Sequence, residues 1–237
     1  MIRAASLPLL LLLADAPCPS VAPPAPLSLP HMKAAIATNQ PVVIVALGSS
    51  STRGWMASDI AHSYPALLQK RLNDALPASH VAVINRGIGG QDAAEELGRL
   101  DLDAIGVRPQ VVIWQVGANA ATHHVPPPIF RLLVEDGIGK LKSAGADVIL
   151  MDNQRSPKIM ASPQDKGIDV ALGDIAKDTG IDLFSRGALM DRWRDAGAEY
   201  EAFIAPDGLH MNDRGYACLA DALAAAMVDA VRRKTGP

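Results

Sequence analysis

Ser50 stands where an apolar run stops. Val42-Val43-Ile44-Val45-Ala46-Leu47 is followed at once by Gly48-Ser49-Ser50-Ser51-Thr52-Arg53-Gly54. A β-branched run cut off by glycine and serine reads as a buried strand entering a tight turn. At the carboxyl edge of an open α/β sheet, such a turn faces the crevice where ligands bind. Taken alone, the segment is equally well a polar turn behind a core strand. Three later segments carry the types that would make the serine reactive. Asn85-Arg86-Gly87-Ile88-Gly89-Gly90 follows a second apolar run and Gly117-Ala118-Asn119-Ala120 a third, while Asp207-Gly208-Leu209-His210 precedes the last helical stretch.

Each of those types has a chemical reason. A serine hydroxyl attacks well only when a base removes its proton during attack. Imidazole is suited to that exchange near neutral pH. A carboxylate on the far ring nitrogen fixes the tautomer and stabilises the imidazolium. The oxyanion that forms needs preorganised donors, which a glycine N–H and an asparagine amide supply. Spacing leaves two candidates for the acid–base pair, because Asp59-Ile60-Ala61-His62 has the same D-x-x-H form as Asp207 to His210. The adjacent His123 and His124 point in different directions, and His31 and His80 have no partner pattern. With no H-E-x-x-H and no Cys/His cluster, no metal site is expected. Gly48 to Gly54 lacks the lysine of a phosphate-binding loop. Gly87-Ile88-Gly89 has Asp92 where a dinucleotide fingerprint needs its third glycine, and Thr52 stands where the G-x-S-x-G elbow needs glycine. Neither a cofactor nor a nucleotide is implied.

The elements that would carry these residues alternate. Strands are expected at 42–47, 81–85, 111–116, 148–151 and 181–183. Helices are expected at about 64–76, 92–101, 128–144, 166–179 and 212–233, the last capped at Asn212-Asp213. Strands separated by helices imply parallel pairing through right-handed crossovers, and continuous apolar runs such as Gln110 to Trp114 imply strands covered on both faces. The three segments at strand ends then reach one sheet edge, and Asp207 to His210 stands just before the last helix. Asp152-Asn153-Gln154 ends the fourth strand at that edge, either lining a pocket or capping the turn. The aromatic stretch from Ser185 to Pro206 reads either as a wall of the site or as a packed excursion.

In order and spacing the four segments resemble the SGNH (GDSL-type) family of serine esterases, from about Val42 to Gly215. The G-D-S-x-x-x-G block matches Gly48 to Gly54, with Ser49 in place of the acid that helps hold the turn. N-x-x-x-x-G matches Asn85 to Gly90. G-x-N-D matches Gly117 to Asn119 and ends in Ala120 instead of Asp, while D-x-x-H matches Asp207 and His210 in full. The resemblance implies a flavodoxin-like three-layer α/β/α fold on a mostly parallel five-stranded sheet. It implies Ser50 as nucleophile, His210 as base, Asp207 as its orienter, and Ser50 N–H, Gly90 N–H and the Asn119 amide as the oxyanion hole. It implies hydrolysis of carboxylic esters, with a small-molecule, glycan or lipid ester as partner. Acyl transfer at the same site, or a non-catalytic glycan- or lipid-binding module of this fold, are the alternatives.

Composition bounds the rest. The chain has 237 residues, 49% hydrophobic and 20% charged, enough for one sizeable α/β domain with a core. A net charge of −3 gives no electrostatic case for nucleic acid. Arg3, the apolar stretch Leu7 to Leu13 and Ala14-Asp15-Ala16 describe a secretory signal peptide over residues 1–16, hence export to the periplasm or the medium. No stretch reaches the roughly 18 apolar residues of a spanning helix. Pro17 before Cys18 does not fit a lipid-anchored cysteine. Cys18 and Cys218, the only two cysteines, could pair in an oxidising compartment. Residues 17–40, rich in proline, read as an extended tether, and 41–237 as the hydrolase domain.

Overall fold

The computed structural model describes residues 17–233, so the signal peptide expected over 1–16 lies outside the described residues. Five strands form one sheet: β1 Val42–Gly48, β2 Val81–Gly87, β3 Val111–Gln115, β4 Asp147–Met151 and β5 Asp182–Phe184. Their order is β2-β1-β3-β4-β5 and every pair is parallel. The fold is α/β, as the alternation implies. Every residue of β3 and β4 is buried, so their apolar runs lack the period-two pattern of a half-exposed strand. Helices cover both faces. Those at Tyr64–Ala75 and Asp213–Arg232 share one apolar cluster, and those at Pro127–Ser143 and Asp165–Thr179 share the other. The Asn212 side chain accepts from Gly215 N–H at 2.9 Å and so caps the last helix.

The chain leaves β1 toward β2 on one side, then returns to lay β3 on the other. Between the carboxyl ends of β1 and β3 the direction of winding reverses, which opens a crevice at the sheet edge. Gly48-Ser49-Ser50 leaves β1 there, and Gly117 to Asn119 follows β3 closely.

One expectation needs correction, and two open readings are resolved. The segment expected as a tether over 17–40 is part of the packed fold. Pro30–Ala37 is a helix with proline in its first turn, and Leu27, Leu29 and Met32 are buried in the core. Asp147, at the start of β4, accepts from the backbone N–H groups of His31 and Met32 at 3.2 and 3.0 Å. Proline-rich composition masked an apolar set at helical spacing. Cys18 and Cys218 are joined by a disulfide with Cα atoms 5.3 Å apart, which ties the start of this segment to the last helix. In the stretch from Ser185 to Pro206, a helix at Arg186–Asp195 sends Leu189, Met190 and Trp193 into the core. Trp193 meets the buried Phe203 with ring centroids 4.4 Å apart. Of the two readings of this stretch, it takes the packed excursion.

Candidate active site

Ser50 opens a short helix, Ser50–Arg53, directly after β1, with Ser49 at its N-cap. Its Oγ lies 2.7 Å from His210 Nε2. The other ring nitrogen, Nδ1, lies 2.6 Å from Asp207 Oδ2. The remaining oxygen of Asp207 accepts from the backbone N–H groups of Leu209 and His210, each at 3.0 Å. One carboxylate therefore orients the ring and folds the loop that carries it. Burial pushes the Asp207 carboxyl up. The hydrogen bonds from the His210 ring and from those two N–H groups outweigh burial and hold it below its usual range. An ionised Asp207 requires hydrogen on Nδ1, which leaves Nε2 free to accept from Ser50.

The groups expected as oxyanion donors sit in neighbouring turns. Gly90 sits at φ +83°, a left-handed conformation that glycine reaches at no steric cost. A Cβ placed on the preceding Gly89 would lie 3.9 Å from Ser50 Cβ, so this turn borders Ser50. The Asn119 amide donates one hydrogen to Gln91 carbonyl oxygen at 2.6 Å, which fixes the side chain and leaves its second hydrogen unspent. Arg99 ties the set together, reaching Gln91 Oε1 at 2.6 Å and the Gly48 carbonyl at 3.0 Å. Asn85 spans β2 and the nucleophile turn. Its amide donates to Thr52 carbonyl oxygen at 2.9 Å while its own oxygen accepts from Gly87 N–H.

The second D-x-x-H is elsewhere and differently built. His62 Nδ1 meets Ser58 Oγ at 2.8 Å and Asp59 Oδ2 at 3.4 Å, in a surface turn. Asp152 turns away from solvent: it accepts from Ser185 Oγ and from Gly187 N–H at 3.0 Å, and burial pushes its carboxyl up to about 6. Gln154, in the turn after β4, donates to Leu209 carbonyl oxygen at 2.7 Å and braces the loop of His210. No cluster of metal-ligating side chains is present among the described residues.

Some site residues were not singled out from sequence. Trp55 is 50% exposed, with its ring centroid 6.4 Å from that of His210. Tyr216 donates from its hydroxyl to Trp55 carbonyl oxygen at 2.8 Å, which fixes the backbone beside the mouth of the site. A tryptophan directly after Gly54, at the end of the serine turn, was the available signal. Gln115, which braces the Ser50 turn from beneath, left no local signal.

A parallel sheet with a Ser–His–Asp relay at its winding reversal, Asn85, Gly90 and Asn119 included, is that of an SGNH-type α/β hydrolase fold. Within that class, the chain belongs to the non-GDSL lipase-like family, whose model matches residues 15–233. An arylesterase of Vibrio mimicus is 29% identical over 114 residues, 48% of this chain and 56% of that protein. Esterase TesA of Pseudomonas aeruginosa is 29% identical over 115 residues, 48% of this chain and 52% of that protein. Among solved structures, a two-domain esterase (CEX) active on acetylated mannans superposes with a TM-score of 0.73 at 24% identity, over 89% of this chain and 55% of that one. The chain spans little more than half the length of each of the three, and the last likeness is one of fold.

Proposed function

We propose that the protein is a serine hydrolase of carboxylic esters, with Ser50 as nucleophile, His210 as general base and Asp207 as the orienter of His210. The observation that carries this reading is the continuous relay from Ser50 Oγ to His210 Nε2 at 2.7 Å and from Nδ1 to Asp207 at 2.6 Å. The esterase names of its relatives support it.

Ser50 Oγ adds to the ester carbonyl carbon as its proton passes to Nε2 of His210. The carbonyl oxygen takes the negative charge and meets the N–H groups of Ser50 and Gly90 and the free hydrogen of the Asn119 amide. Collapse of this intermediate breaks the bond to the alcohol oxygen, which leaves with the proton from Nε2. Water then loses a proton to Nε2 as it attacks the acyl carbon, and collapse breaks the bond to Ser50 Oγ, which takes that proton back as the acid leaves. No step calls for a group outside the chain. The indole of Trp55 beside His210 borders the place of the leaving alcohol.

Export belongs to the same reading. Residues 1–16 have the pattern of a signal peptide, and the Cys18–Cys218 disulfide suits an oxidising compartment. No helix among the described residues is long and apolar enough to cross a membrane.

A serine-directed phosphonate and a short p-nitrophenyl ester test the reading together. Turnover of the ester, with the phosphonate on Ser50, is the expected result. Label on Ser49 or Ser51 overturns the assignment, and neither label nor turnover favours a binding module. N-terminal sequencing of exported protein should begin after Ala16, and a lipid-modified Cys18 as first residue would show different processing.

A further inference from the structure

The departure at Ser49 removes the acid that a G-D-S block places beside its nucleophile, yet the turn here is held by another group. Gln115, the last residue of β3, is 1% exposed and pairs in register with Gly48 at the end of β1. Its side-chain Oε1 lies 3.2 Å from Ser49 N, 3.3 Å from Ser49 Oγ and 3.1 Å from Thr52 Oγ1. Three donors, from the residue before Ser50 and the second residue after it, thus converge on one oxygen. Ser49 and Thr52 are 2% and 0% exposed, so no water competes for these hydroxyls. The fit also excludes a side chain at position 48. A Cβ there would lie 2.4 Å from Thr52 Oγ1 and 2.8 Å from the Gln115 carbonyl oxygen.

We propose that Gln115 is the positioning residue of the nucleophile turn, supplying from β3 the acceptor that the G-D-S acid would place at position 49. The inference rests on the reading of Ser50 as nucleophile. The direction of the Ser50 N–H depends on the peptide between Ser49 and Ser50, and Gln115 pins Ser49 by both its N–H and its hydroxyl. The same residue lies four before Asn119 on the same chain segment. Gln115 therefore links two of the three oxyanion donors, and setting their separation is its function. Such a role acts on turnover and leaves ground-state binding little changed.

The test uses Gln115→Met, which keeps length and loses the acceptor, and Gln115→Glu, which keeps it. Gln115→Met should lower kcat by about 10–100-fold with KM within about threefold, and Gln115→Glu should stay within about threefold of the parent on both. Adding Ser49→Asp to Gln115→Met should recover about tenfold of the loss, because the carboxylate restores an acceptor locally. Amide hydrogen exchange over residues 49–53 should quicken in Gln115→Met and not in Gln115→Glu. That readout needs no substrate. If the parent turns over no ester, the functional reading fails while exchange still decides whether Gln115 holds the turn. Parental kcat in folded Gln115→Met, equal loss in both variants, a loss confined to KM, or unchanged exchange each overturns the proposal. Should Gln115→Met not fold, Ser49→Ala and Thr52→Val remove the donors singly. Each should lower kcat by about 3–10-fold, and parental kcat in both overturns it.

Discussion

Asp59-Ile60-Ala61-His62 and Asp207-Gly208-Leu209-His210 have the same spacing and opposite surroundings. The side chains of His62 and Asp59 are 48% and 60% exposed, against 9% and 25% for His210 and Asp207. In both loops the Asp accepts a local backbone N–H, so the turn chemistry is shared. The far ring nitrogen makes the difference. In the second loop Nε2 meets Ser50 just past the end of β1, and Gln154, just past β4, braces the loop. A D-x-x-H is thus a way to fold a histidine over an aspartate. It becomes a base only where the fold aims it at a nucleophile.

The largest effect that would break this contrast is at His210. His210→Ala should lower kcat/KM for a p-nitrophenyl ester by about a thousandfold or more, as should Ser50→Ala, because nucleophile and base act as one unit. The double variant should be scarcely worse than either alone. Full additivity in that steady-state cycle would mean that the two do not cooperate.

Asp207→Asn comes next. Two backbone N–H groups hold Oδ1, so an asparagine would keep its oxygen there and turn its NH2 toward His210 Nδ1. That forces the proton onto Nε2, where it blocks acceptance from Ser50. A loss of about 10²–10⁴-fold in kcat is expected, smaller than for His210→Ala. The pH profile sharpens the point. The Asp207 carboxyl lies below its usual range, so its share of stability is present above that range and is lost as pH falls through its folded value. Asp207 is therefore still ionised where an imidazole titrates. The acid limb of kcat/KM at mildly acidic pH should therefore carry no proton from Asp207 and have a slope of one. A two-proton limb at mildly acidic pH would contradict this.

Asn119→Ala should follow, with kcat down about 10–1,000-fold and KM nearly constant, since its free hydrogen meets charge that exists only in the transition state. A rise in KM at constant kcat would make Asn119 a substrate-binding group.

Much of this contrast was legible in the sequence. β3 and β4 announced themselves by continuous apolar runs, and the last helix by its Asn212 cap. The four segments of the site stood in order, and a parallel sheet brings strand ends to one edge whatever the loops do. What was hidden depends on register and on long-range packing. Gln115 reaches Ser49 only because β1 and β3 pair as they do, across a separation of 66 residues. The core role of Leu27 and Met32 was concealed by the prolines around them, and that of Trp193 by the arginines and aspartates beside it in Arg186–Asp195. The exposed setting of His62 was not written in its spacing at all.

The smallest effect closes the comparison. His62→Ala removes a ring that meets Ser58 and Asp59 on the surface and reaches no group of the Ser50 relay. Its exposed pairing with Asp59 contributes little. Activity should stay within about twofold of the parent and the stability change within about 0.5 kcal/mol, the range of ordinary surface substitutions. Steady-state turnover and denaturant unfolding check both. Because Ser58 N–H also donates to Asp213 at the start of the last helix, a somewhat looser 58–62 turn could be felt there before it is felt at Ser50. An inactive His62→Ala beside an active His210→Ala would reverse the contrast, since it would mean that burial and aim do not decide which D-x-x-H does the chemistry.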